Sequence, residues 1–172
     1  MRRWIVRHPA RAAGFAVLVV FAVGAGVYWF APQRLVLDRH VAESLPTPSS
    51  SPSVSGEAEA PVVELGSGTF RSLEHTTTGR ARVVELDEGS RFVRLEDLDT
   101  SDGPDLRIYL TDQPVSDDWG VWDDGRVVDL GALKGNVGDS NYRIPDDVDL
   151  SGIRTVVIWC RRFTVGFGVA PI

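Results

Sequence analysis

The chain has 172 residues and a formal net charge of −6, with 43% hydrophobic residues, enough for one modest domain plus accessory segments. The first eleven residues hold four arginines and no acid, so the remainder carries −10. An acidic body of this kind excludes a nucleic-acid surface, which must offset phosphate charge with a basic face.

Residues 1–11 read as a cytoplasmic basic tail. "AAGFAVLVVFAVGAGVYWFA", residues 12–31, is a run of 20 without a charge. A bilayer core of ~30 Å needs about 20 apolar residues in helix, whereas the apolar part of a cleaved signal is usually ~7–15 residues. An uncleaved transmembrane signal anchor is therefore preferred over a cleaved signal or a buried core helix. The arginines before it place the N-terminus inside and the rest of the chain outside, with Tyr28 and Trp29 at the far interface. The expected location is a single-pass cell-membrane protein whose lipid partner is the bilayer around residues 12–31.

Residues 32–61 form a juxtamembrane segment and a stalk. "PQRLVLDRHVAES" suggests a short helix. The Pro- and Ser-rich stretch that follows lacks the apolar content to offset chain entropy and acts as a spacer.

The folded domain is expected over residues 62–172 and is all-β. "GTFRSL", "RARVVEL", "RFVRLEDL", "DLRIYLT", "RVVDLG" and "NYRI" are short alternating or β-branched runs separated by turn compositions. "RTVVIWC" is apolar on both faces, as a central strand should be. "FTVGFGV" puts Phe163, Val165, Phe167 and Val169 on one face. Roughly eight or nine strands predict an antiparallel β-sandwich or a barrel-like sheet.

The site chemistry is sparse. Of three histidines only His75 lies in the domain, and there is one cysteine, Cys160, so a typical zinc site is excluded. C-x-x-C-H, H-E-x-x-H, G-x-S-x-G and the Gly-rich phosphate loops are all absent. "DDWGVWDDG" lacks calcium-loop spacing and reads as a hairpin loop whose tryptophans fold back on the sheet. "LGALKGNVGDSNYRIP" is either a binding loop built on Lys134, Asn136, Asp139 and Asn141 or a compact connection held by its own side chains.

Cys160 is either a small core hydrophobe or a functional thiol. An odd cysteine in an exported chain points to intermolecular pairing or reactivity, and the cations of Arg161 and Arg162 would favour its thiolate. An unbroken strand through 161–163 would bury Arg161 beside Trp159, at a cost of several kcal/mol. The strand is therefore expected to turn there, leaving Cys160 at a strand end near the core rim, with Trp159 shielding one side.

"GTFRSLEHTTTG", "LRIYL" after "TSDGPD", "LGALKGNVGDSNYRIP" and "VVIWCRRFTVGFG", in this order and spacing, resemble the DM-thirteen domain, often called an electron-transfer domain, over nearly all of residues 66–171. The resemblance implies a β-sandwich-like module, found alone on bacterial surfaces and, in animals, beside DOMON and cytochrome b-type partners. It makes Cys160 the hallmark cysteine, acting in redox chemistry as a bare thiol or through a bound group such as haem. Three readings follow. The first is a redox or electron-transfer module centred on Cys160, with an exported thiol, quinone or haem protein as partner. The second is a surface binding module with a structural cysteine. The third is a haem site with Cys160 or His75 as axial ligand; no cofactor is required by the sequence, and none of the three implies a classical enzyme.

Overall fold

The structure is a computed structural model that describes residues 9–30, 37–46, 62–86, 89–118 and 120–172. The basic tail up to residue 8, the stalk residues 47–61 and Trp119 lie outside them. The helix α1 (Pro9–Phe30) is followed by ten strands: β1 (His40–Ala42), β2 (Val63–Thr69), β3 (Arg71–Ser72), β4 (Thr77–Glu85), β5 (Arg91–Thr100), β6 (Leu106–Thr111), β7 (Val127–Ala132), β8 (Val137–Ile144), β9 (Thr155–Cys160) and β10 (Val165–Pro171).

They form two five-stranded sheets, β1-β8-β5-β4-β2 and β3-β10-β9-β6-β7. The molecule is a sandwich, not a closed barrel. All pairings are antiparallel except β1 with β8. The strand count exceeds the expected eight or nine because β1 comes from the segment read as a juxtamembrane helix. Its alternating exposure, His40 and Ala42 out and Val41 half-buried, has the period of a strand.

The interior is the apolar set that alternation supplies. Val83, Val93, Leu95, Tyr142 and Ile144 of the first sheet meet Leu106, Ile108, Leu110, Val156, Ile158 and Phe167 of the second. As its composition predicts, β9 is the central strand of its sheet, and all six of its residues are buried. Its two faces fill different cores. Val156, Ile158 and Cys160 enter the space between the sheets. Val157 and Trp159 join Tyr109, Val169 and the loop residue Trp122 in a smaller cluster on the other face. The acidic tryptophan loop does fold back on the sheet, through Trp122.

The reading of residues 163–169 needs two corrections. Phe163 is exposed in the turn between β9 and β10. A register shift between Gly166 and Gly168 inserts one residue, and a bulge of that kind reverses which face later residues occupy. Phe167 and Ala170 therefore point into the main core, and Val169 into the smaller one.

Helix α1 starts on a proline, which suits a first helical turn, and exposes Phe15, Val17, Leu18 and Phe21. Its described side chains are Ala10 and those from residue 13 to residue 29. Among the described residues no helix is long and apolar enough to cross a membrane, so the expected spanning helix gains no support from them.

Candidate functional site

Cys160 is the last residue of β9. Its partners across the sheet are Leu106 of β6 and Val165 of β10. It is a free thiol, fully buried among aliphatic and aromatic side chains, deeper than the core rim the sequence suggested. The strand ends where expected, because residues 161–164 form a turn in which Thr164 takes a φ of 52°, a strained value for a β-branched residue.

The three neighbours expected to serve Cys160 point elsewhere. Trp159 projects from the opposite face of the sheet, so it shields Tyr109 and Trp122 rather than the thiol. The Arg161 Nε donates to Asp105 Oδ2 at 2.9 Å, and its backbone N–H donates to the Asp105 carbonyl at 3.0 Å. Arg162 donates to the carbonyls of Tyr28 and Trp29 and lies 5.2 Å from the Trp29 ring centroid. It thus caps the helix carbonyls that lack intrahelical donors.

His75 is half-buried and packs its ring on Phe167, centroid to centroid 3.8 Å. Burial pushes its pKa below the ordinary histidine value, and Glu74 opposes this weakly. Phe167 also belongs to the core that holds Cys160. A haem does not fit these residues. An axial cysteine needs open space in front of its sulfur, commonly a few hundred Å³ for a cofactor, whereas Cys160 is closed in by packed side chains. A cavity of about 100 Å³ is lined by Leu65, Val83, Leu150 and Ile153, and one of about 300 Å³ by Asp38, Thr78, Asp99 and Asp102; neither borders Cys160. Among the described residues no group of three or more His, Cys, Asp and Glu is placed to hold a metal ion.

The residues picked from the glycine-rich loop gather at one place, the β8 edge, and all four bind residues 38–44 of the same chain, Asp139 through its backbone carbonyl, which accepts the Glu43 N–H at 3.0 Å. Asn136 is fully buried. Its Oδ1 accepts the Arg39 N–H at 2.7 Å, and its Nδ2 donates to Asp38 Oδ1 and the Thr100 carbonyl, both at 2.8 Å. The Lys134 ammonium donates to both Glu43 carboxylate oxygens at 2.9 Å. Asn141 donates its N–H to Glu43 and its amide to the Ser44 carbonyl. Asp139 holds Arg94 at 2.9 Å and accepts the N–H of Asp97, whose φ of 49° marks a bulge in β5. Burial raises the Glu43 carboxyl, but the Asn141 N–H, Lys134 and Arg94 outweigh it and hold its pKa below the usual carboxylate value.

Sequence reasoning missed the two groups that complete this joint, Arg39 and Asp102. They form a bidentate pair, Nε to Oδ2 and Nη2 to Oδ1, each 3.0 Å, with Asp102 buried. A hint was available: "GNVG" supplies glycines where a second backbone has to come close.

The family model of the electron transfer DM13 domain matches residues 69–172. The chain belongs to that family. No curated protein and no solved structure matches it.

Proposed function

We propose that this chain is a redox module attached to a membrane through residues 12–31, with residues 32–172 extracytoplasmic, and that Cys160 reacts as a thiol when the turn at 161–164 opens. Family membership supports a redox or electron-transfer role. Membrane attachment is supported by the uncharged run of 20 and the arginines that precede it.

One observation carries the thiol reading. The single cysteine is the last residue of its strand, directly before an exposed turn containing a strained Thr164 and tied down by Arg161 on Asp105. Opening that turn exposes the sulfur without melting either sheet. The step is thiol–disulfide exchange. Cys160 loses its proton to solvent and its thiolate attacks a disulfide of an exported partner. One partner sulfur joins Cys160 in a mixed disulfide, and the other leaves as thiolate. The partner's disulfide is the oxidant.

The complete burial of Cys160 favours a second reading, an interaction module with a structural cysteine. Alkylation by a small reagent separates the two. Under the redox reading the folded protein labels slowly but below the denaturation threshold, and Asp105→Asn speeds labelling by more than its loss of global stability allows. Labelling that tracks global unfolding in both proteins establishes the structural cysteine.

A further inference from the structure

The acceptor at the β8 edge is built for a strand, and the strand in it is held by polar contacts rather than by burial. The body contributes buried groups: Asn136, Asp102, Arg94 and Asn141. The described segment 37–46 contributes no fully buried residue. The groove also lacks side chains where the segment lies. A Cβ on Gly135 would come 2.4 Å from the Arg39 carbonyl oxygen, and one on Gly138 would come 2.1 Å from that of Val41. Pairing runs over three positions only, His40 with Val137 to Ala42 with Asp139.

From these observations we infer that the β8 edge is a peptide-binding site, and that residues 38–44 are its tethered ligand and act as a releasable latch. The ligand class is an extended peptide carrying a guanidinium and, four residues on, a carboxylate. Arg39 enters the Asp102 end and Glu43 the Lys134 end. Between them the backbone is read by Asn136, Asn141 and Arg94, which donates to the Glu43 carbonyl at 2.7 Å. The contacts are mostly charge-assisted and polar, and salt weakens the half-exposed Lys134–Glu43 pair more than Arg39 on the buried Asp102. Tethering supplies a high effective concentration, so the site stays filled in dilute solution and yields to a competing strand.

Release would change how far the domain reaches. With the latch in place, residues 31–36 join α1 to the sandwich, at most ~20 Å of chain, and Arg162 sits on the end of α1. With the latch open, roughly 30 residues separate α1 from β2, an extended reach of ~100 Å. The inference does not depend on the redox reading.

The test uses the full chain in detergent with a protease site inserted within residues 47–61. After cleavage the two pieces should co-elute in low salt. A labelled peptide of residues 37–46 should then displace the N-terminal piece. Peptides carrying Arg39→Ala or Glu43→Gln should compete about tenfold more weakly, the usual cost of one charge-assisted contact. These peptides leave the protein unaltered, so misfolding of a variant cannot confuse the result. Pieces that never exchange with excess peptide, in low or high salt, would make β1 a permanent strand and overturn the latch. Pieces that separate at once and bind no peptide would overturn the binding site.

Discussion

Trp159 and Cys160 are consecutive in the chain, yet their side chains enter two different cores, one on each face of β9. Separate cores predict separate consequences. Cys160→Ser places a hydroxyl among apolar side chains and should cost roughly 1–3 kcal/mol in urea unfolding. Trp159→Phe should cost a comparable amount by loosening the stack with Tyr109, whose ring centroid is 6.2 Å away. The double variant should be additive to within about 0.5 kcal/mol. A larger coupling energy would show that the two cores act as one.

Gly138 and Gly131 both have positive φ, 101° and 111°, but only Gly138 has a backbone pressed against it, that of Val41. Alanine at Gly131 should cost about 1 kcal/mol through φ alone. Alanine at Gly138 should cost more, because it also expels β1. The difference between the two should shrink in protein whose N-terminal piece has been cut and removed. Equal costs in the intact chain would mean β1 adds nothing to stability.

The strands were legible because β-branched alternation and turn residues write them directly, and β9 reads as central from "TVVIWC" alone; the choice between a sandwich and a barrel was not, since it depends on which strands pair. β1 was not legible. Three residues, His40, Val41 and Ala42, carry too little pattern, and their pairing with β8 lies nearly a hundred positions away. A separation of 63 positions likewise hid Arg39 on Asp102. For Cys160, proximity in sequence misled. Arg161 and Arg162 follow it directly, but a turn sends one to Asp105 and the other to Trp29.

The lowered pKa of His75 gives stability a defined pH dependence. Its folded value lies below the unfolded value of about 6.5. As pH falls through 6.5 the unfolded chain takes up the proton first. Stability from this group is therefore complete above about 6.5 and declines as pH falls toward the folded pKa. The urea midpoint should drop between pH 7.5 and 5.5, and His75→Gln should flatten that drop. An unchanged slope in the variant would assign the effect to other groups.

Among the described residues, Arg94 is the charged side chain that makes the most hydrogen bonds. It is buried on β5, the central strand of the first sheet, and donates to Glu96, the Glu43 carbonyl, Asn141 and Asp139 at 2.7–3.1 Å. It therefore ties β5 to β8 and to the latch in one fork. Arg94→Met keeps the apolar stem but removes four hydrogen bonds, although Glu96 retains Arg82 and Asp139 retains the Asp97 N–H, and hydrogen bonds to charged groups are worth about 1.5–3 kcal/mol. A loss of about 2 kcal/mol or more is expected from urea unfolding. Arg94→Lys should recover little of it, since an ammonium cannot reproduce the planar fork. Arg143, paired with Asp146 on the exposed surface, is the control, and Arg143→Met should cost under about 0.5 kcal/mol. If the two methionine variants lose equal stability, the Arg94 fork is no more than a surface ion pair. If Lys at position 94 restores full stability, charge alone is what the joint requires.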